Sequence, residues 1–151
     1  MGTFHTLLVA YDFSPDSEAA LDRAIDLAKA LDAALHLVHV FHPPVELLSP
    51  YEIPLPPSLV DEVQGAARRR LEEVTAKAAA AGTPARAHVR DGSPAEQIES
   101  LAREIGADLI VMGTRGLTGL PHVLLGSVAE RTVRIASRPV LTVKAAPPAS
   151  E

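Results

Sequence analysis

The residues best suited to ligand binding lie in a glycine-rich stretch from Gly113 to Ser127, which reads GTRGLTGLPHVLLGS. Glycine lets a backbone approach a ligand closely, and main-chain N–H groups at a helix N-terminus attract anions. Arg115 adds a positive charge, and Ser127 can either cap a helix or donate to a phosphate oxygen. The stretch therefore predicts an anion cradle, although an ordinary turn would use the same glycines.

Other nucleotide and metal motifs fit the sequence poorly. It contains no Gly-x-x-x-x-Gly-Lys-Ser/Thr, which excludes a P-loop nucleotidase. Residues 10–17, the first strand–helix turn, lack glycine, which argues against a dinucleotide-binding fingerprint. His36, His39 and His42 would share one helix face, but they alternate between the faces of a strand. We therefore expect core or solvated histidines there rather than a metal site.

Short apolar runs alternate with helical periodicity along the chain. The runs predict strands at residues 6–10, 35–40, 85–90, 107–112 and 139–143. Helix starts are predicted at Ser14-Pro15, near Ser58, at the Ser93-to-Glu96 capping box and at the Ser127-to-Glu130 capping box. The proline-rich residues 43–57 predict a loop. This order predicts a single five-stranded parallel sheet with helices on both faces.

Ligands of such sheets bind beyond the carboxyl ends of the strands, near a topological switch point. Asp12, residues 40–42, Asp91 and the loop beginning at Gly113 all follow predicted strands. We therefore expect them at one edge of the sheet. Asp12 there serves either a ligand or the cap of the first helical turn, and the sequence leaves both readings open.

Length and composition limit the class of protein. The 151 residues suit one domain, which we place at 1–146, with 147–151 as a flexible tail. The absence of cysteine excludes disulfides, cysteine-ligated metals and thiol catalysis. A net charge of −5 argues against nucleic acid or an anionic membrane as partner. No apolar run is long enough for a membrane span and no signal peptide is visible, so we expect a cytoplasmic protein.

Gly113-x-x-Gly116, followed after nine residues by Gly126-Ser127, resembles the ATP-binding signature of the universal stress protein family. Asp12 followed by Ser14 is similar to that family's opening, and the segment from Gly126 to residue 143 is similar to its ending. The resemblance thus covers nearly the whole chain. It implies a Rossmann-like sheet of the adenine nucleotide alpha hydrolase type, often assembled as a homodimer.

The resemblance also implies roles for individual residues. Asp12 would approach the ribose or the metal-bound phosphates, the Val40 backbone would bind adenine, and Gly113 would lie near the ribose. Phosphates would be held at Gly116 and at the start of the last helix. The implied nucleotide site consists of Ala10, Tyr11, Asp12, Val40, Met112, Gly113, Arg115, Gly116, His122, Gly126, Ser127 and Val128. Pro121-His122 departs from relatives that carry basic residues there, and Pro121 offers no N–H to phosphate.

The implied function is that of an ATP-binding regulatory homodimer, with Mg²⁺ or Mn²⁺ accompanying the nucleotide. No general base is visible, so we expect no catalytic residue and at most slow ATP hydrolysis. A nucleotidyl- or phosphoryl-transfer enzyme and a nucleotide-free interaction module remain as alternatives. The apolar strand 139–143 is expected at a sheet edge, where it would pair with its twin. A proline at Leu141 would then give monomers, provided that its N–H faces the partner.

Overall fold

The computed structural model describes residues 3–41, 56–116 and 125–146. His42, nearly all of the proline-rich stretch, His122 and the tail 147–151 lie outside these ranges. The elements are β1 (Thr6–Ala10), α1 (Pro15–Leu31), β2 (Ala34–Phe41), α2 (Pro57–Ala80), β3 (Ala85–Asp91), α3 (Pro94–Ile105), β4 (Leu109–Gly113), α4 (Ser127–Ile135) and β5 (Val140–Val143). The predicted alternation of strands and helices is therefore confirmed, with bounds that differ by one or two residues at most ends.

The strands form one five-stranded parallel sheet in the order β3-β2-β1-β4-β5. The chain runs from β1 outward to β3 and then crosses back to β4. The strand order therefore reverses between β1 and β4, which creates the switch point that the sequence predicted. β1 is central, and its Leu7, Leu8 and Val9 are fully buried because helices cover both faces of the sheet.

Successive residues of the central strands point into two separate cores. Leu7 and Val9 pack with Leu21 of α1 and Leu71 of α2 on one face. On the other face, a second core includes Leu8 and packs against α3. No helix among the described residues is long and apolar enough to cross a membrane.

Two helix starts differ in detail from the predicted caps. α4 has Gly126 as its N-cap and Ser127 as its first residue, so the expectation that Ser127 caps this helix is wrong. At α3 the N-cap is Ser93, but its hydroxyl donates to the Glu96 carboxylate instead of accepting a main-chain N–H. In contrast, the Ser14 hydroxyl accepts the Ser17 N–H at 3.2 Å and caps α1 as predicted.

Gly113 is the point where the first turn of α1 packs closest to β4. A Cβ on Gly113 would lie 2.7 Å from the Cβ of Asp16 and 2.8 Å from its carbonyl carbon. Backbone atoms cannot yield to such a contact without shifting an element. The need for glycine at this position therefore arises from helix–strand packing.

β5 is an edge strand, as predicted. The main-chain N–H and carbonyl of Leu141, however, do not point to the free side of the strand. The Pro139 carbonyl accepts the N–H of Ile110 in β4, and the Val143 carbonyl accepts the N–H of Thr114 just after β4, both at 3.0 Å. Backbone groups alternate in direction along a strand, so Leu141 also faces β4. A proline at Leu141 would thus break the sheet itself. The free edge belongs to Val140 and Thr142.

We expect Gly113→Ala to destabilise the fold by about 1–3 kcal/mol, because the added methyl group meets the backbone of α1. The control is Gly65→Ala in the middle of α2, where a Cβ meets only Arg69 at an ordinary 3.5 Å. That change should stabilise the protein by about 0.5–1 kcal/mol. Urea denaturation of both variants measures the difference, and equal effects would contradict the packing role of Gly113.

Candidate functional site

A cavity of about 330 Å³ opens beyond the carboxyl ends of β1, β2 and β4. It is lined by every predicted site residue except His122, which lies outside the described residues. Sequence reasoning missed other lining residues, which are Ser17, Val38, His39, Pro94, Ile98, Thr114 and Ala129. Most of these missed residues are apolar or lie inside helices, where their periodicity indicates only a core position.

The two ends of the glycine-rich stretch meet at one wall of this cavity. The Gly126 N–H donates to the Thr114 carbonyl, and a Cβ on Gly126 would lie 3.3 Å from that oxygen and 3.7 Å from Gly116 N. Gly126 has a φ of −69°, so this close approach, and no unusual backbone conformation, favours glycine. The first turn of α4 begins here, and its main-chain N–H groups have no helical acceptors. Ser127 and Val128 of that turn line the cavity.

Asp12 divides its two carboxylate oxygens between two tasks. Its Oδ1 accepts the Ser14 N–H at 2.9 Å and stabilises the turn that precedes α1. Its Oδ2 lies beside Gly116, where a Cβ would approach it to 3.0 Å. Asp12 also lines the cavity, so Oδ2 is the oxygen available to a ligand there.

Sequence reasoning did not single out Asp16, a buried carboxylate that contacts two residues of the cavity lining. Its side chain is only 4% exposed, and its Oδ2 accepts the Thr114 hydroxyl at 2.8 Å and the Arg115 N–H at 3.1 Å. Its Oδ1 accepts the Ala145 N–H at 3.0 Å. Burial alone would raise the pKa of Asp16, but these hydrogen bonds and the Arg115 charge hold it below its usual value. An acidic residue in a first helical turn ordinarily indicates only a favourable helix-dipole contact.

Arg115 was predicted to contact phosphate; in the structure it lines the cavity, and its guanidinium contacts Asp16. Its Nε lies 3.3 Å from Asp16 Oδ2, and its side chain is 24% exposed. Asp16 therefore fixes the guanidinium from one side. The exposed part remains available to an anion in the cavity.

Phe13, between Asp12 and Ser14, has a left-handed backbone with a φ of 65°. Such a conformation costs a non-glycine residue on the order of 1–3 kcal/mol. Aromatic packing offsets this cost: the Phe13 ring lies 5.0 Å from the rings of both Tyr11 and His39. The Arg70 guanidinium of α2 stacks on the ring at 4.0 Å. The turn that carries Asp12 is thus held from both β2 and α2.

The histidines of β2 have separate partners. His36 Nδ1 lies 2.9 Å from His88 Nε2 on β3, and His39 Nδ1 lies 2.9 Å from the Tyr11 carbonyl. Burial, followed by nearby positive charge, lowers the pKa of both His36 and His88. Within the described ranges, no three His, Asp or Glu side chains converge to form a metal site.

A five-stranded parallel sheet with a glycine-lined cavity at its switch point defines a doubly wound α/β protein with a ligand site at the carboxyl edge. The family model described as "Universal stress protein family" matches residues 3–144. The chain therefore belongs to the universal stress protein family.

Individual relatives agree with this assignment. Universal stress protein YxiE of Bacillus subtilis is 36% identical over 147 residues, which cover 93% of this chain and 99% of the relative. Among solved structures, hypothetical protein MJ0577 superposes with a TM-score of 0.83 at 26% identity, covering 97% and 99% of the two chains. A universal stress protein in complex with cAMP has a TM-score of 0.71 at 28% identity, covering 96% and 100%. At least one structural neighbour of this chain thus binds a nucleotide.

We expect Asp16→Asn to destabilise the protein by about 1–3 kcal/mol near neutral pH, because the amide group faces donors that require an acceptor. A carboxyl with a lowered folded pKa contributes stability above its unfolded pKa of about 4, and this contribution is lost as pH falls through the folded value. The variant should therefore lose less stability than the parent below about pH 4. Urea denaturation at several pH values measures this, and parallel decline in both proteins would contradict it.

Proposed function

We propose that the protein is a cytoplasmic, regulatory homodimer that binds ATP in the cavity at the carboxyl edge of the sheet. The observation that carries this proposal is the close approach of Gly126, the N-cap of α4, to the backbone of residues 114–116 at the cavity wall. This approach brings the first turn of α4, whose main-chain N–H groups have no helical acceptors, to the cavity wall. The nucleotide-bound structural neighbour supports the same ligand class.

One end of the cavity suits phosphate groups. The N–H groups of the first turn of α4 and its positive dipole end favour an anion. Ser127, the first residue of α4, lines the cavity, so its hydroxyl can donate to a phosphate oxygen. Arg115 adds a partly exposed positive charge. These groups together would bind the phosphates of ATP.

Apolar residues of the cavity lining suit a base. They include Val38, Ile98 and Met112. The Val38 carbonyl accepts the Tyr11 N–H at 2.8 Å, a main-chain bond between β2 and the residue that follows β1. By strand alternation, the N–H and carbonyl of Val40 point in the same direction, beyond the end of β1. They would supply one donor and one acceptor to the edge of adenine.

A divalent cation would bind at this site only together with the nucleotide, whose phosphate oxygens would supply most of its ligands. Asp16 cannot serve it, since both of its oxygens already accept hydrogen bonds from the protein. Asp12 Oδ2 would hold the cation together with phosphate oxygens, as Mg²⁺ prefers. A bound Mg²⁺ or Mn²⁺ would neutralise phosphate charge beside this carboxylate.

The homodimer would form through β5. Among the described residues, β5 is an outer strand of the sheet, so its outward groups at Val140 and Thr142 have no neighbouring strand. Leu141 is 36% exposed, and Val133 of α4 is 48% exposed. An apolar sheet edge of this kind is usually covered. A twofold pairing of β5 with its copy would satisfy the backbone groups and bury these side chains.

We expect Asp12→Ala to reduce the advantage that Mg²⁺ gives to ATP binding by about tenfold, since a carboxylate beside phosphates is favourable mainly through a cation. Calorimetry of ATP with Mg²⁺ and with EDTA measures this. Asp22→Ala is the control, because it removes the same charge from an exposed position on α1. If Asp12→Ala retained the full Mg²⁺ dependence, Asp12 would serve only the turn before α1.

Mass spectrometry of the gently purified protein tests the ligand itself. Co-purified ATP supports the proposal, conversion of ATP to a product supports a transfer enzyme, and failure to bind added ATP contradicts a nucleotide site.

We expect Thr142→Pro to give monomers, because it removes an outward N–H without touching the β4–β5 ladder. The control is Asp91→Pro on the opposite edge strand, β3. There the Gly92 N–H donates to the Phe41 carbonyl, so the preceding Asp91 N–H faces outward. Light scattering at micromolar concentration compares the two variants. A monomeric parent protein, or dimers in both variants, would contradict a β5 interface.

A further inference from the structure

Asp16 connects the cavity to a backbone position that the cavity does not include. Its Oδ2 binds Thr114 and Arg115, which both line the cavity. Its Oδ1 binds the Ala145 N–H, two residues after the end of β5 and outside the cavity lining. One buried carboxylate therefore holds both the glycine-rich loop and the end of the edge strand.

Thr114 extends this connection across the site. Its N–H donates to the Val143 carbonyl at 3.0 Å, and its hydroxyl donates to Asp16. Its carbonyl accepts the N–H of Gly126, the N-cap of α4. A single residue thus links β5, α1 and the start of α4. Movement of any one of these elements disturbs hydrogen bonds to the other two.

The position of Asp16 leaves it little freedom to adjust. Its side chain is 4% exposed, and the absence of a side chain at Gly113 lets it lie against the end of β4. A buried carboxylate must keep its hydrogen bonds, because no water replaces a partner that moves away. A shift of the Asp16 carboxylate toward the loop would therefore lengthen its hydrogen bond to Ala145, and the reverse also holds.

We propose that Asp16 is a positioning residue of the cavity and that it couples occupancy of the cavity to the backbone at Ala145. The proposal rests on the proposed function, because ATP is the ligand taken to occupy the cavity. A nucleotide that holds the main chain at Arg115 and Gly116 keeps the Arg115 N–H directed at Asp16. This contact fixes the Asp16 carboxylate, and a fixed carboxylate also keeps its hydrogen bond to the Ala145 N–H. By reciprocity, any contact that immobilises the end of β5 strengthens ATP binding by the same factor.

Residue-resolved amide hydrogen exchange on the full chain, with and without ATP–Mg²⁺, tests this coupling. In the parent protein we expect ATP to slow exchange at Ala145 by about fivefold or more. In Asp16→Asn this slowing should disappear, and ATP affinity should fall about tenfold, the equivalent of one lost charge-assisted hydrogen bond. Thr114→Val is the milder variant, since it keeps the carboxylate and removes one donor, and it should reduce the slowing.

Glu99→Gln is the matched control. Glu99 is also a buried carboxylate, 7% exposed, and it accepts the Ser137 hydroxyl at 2.6 Å and the Ser137 N–H at 3.3 Å. It does not line the cavity. This variant should keep the response of Ala145 to ATP, whereas a merely destabilised protein would lose it in both variants.

The outcomes separate this coupling from the proposed function. If ATP binds the parent protein but exchange at Ala145 is unchanged, the coupling is wrong and the nucleotide site stands. If ATP does not bind, the proposed function fails. The coupling between Arg115 and Ala145 is then tested by amide exchange without ligand. Asp16→Asn must then accelerate exchange at both Arg115 and Ala145, and acceleration at only one overturns it. If Asp16→Asn does not fold, full slowing at Ala145 in Thr114→Val overturns the coupling.

Discussion

The close packing of the first turn of α1 against the end of β4 is the constraint on which the site depends. Gly113 makes this contact possible, because any Cβ there would overlap Asp16. The contact buries the Asp16 carboxylate, and the buried charge then requires donors. Those donors come from Thr114, Arg115 and Ala145, so the packing contact determines where the glycine-rich loop leaves the sheet.

A protein with a net charge of −5 can still bind an anion when the site relies on its main chain. The donors at the start of α4 belong to the backbone, and their number does not depend on the overall charge. The charge of Arg115 is partly balanced by Asp16. Arg115 can therefore hydrogen-bond an anion in the cavity but adds little to the electrostatic potential at longer range. The cavity is thus locally suited to phosphate within an acidic molecule.

The β1–α1 turn shows how distant elements maintain a local strain. Phe13 keeps its left-handed backbone because Tyr11, His39 and Arg70 surround its ring. Tyr11 follows β1, whereas His39 belongs to β2 and Arg70 to α2, so these contacts come from separate parts of the chain. The strained turn directs one oxygen of Asp12 to the turn itself and the other to the cavity. The position of the Asp12 carboxylate therefore depends on the packing of α2, through the ring of Phe13.

The sequence by itself determined the order of the elements, the parallel sheet, its edge strand and eleven of the eighteen residues that line the cavity. Apolar runs, proline at helix starts and glycine spacing are local signals, so they can be recognised without knowing which elements become neighbours. Only the tertiary structure decided the role of Asp16, because its partners lie about a hundred residues or more further along the chain. The same holds for the inward direction of the Leu141 N–H, which follows from the register with β4. Gly126, and not the predicted Ser127, is the N-cap of α4. Gly126 is held there by its hydrogen bond to Thr114, which joins the two ends of a loop and so cannot be read from a local sequence pattern.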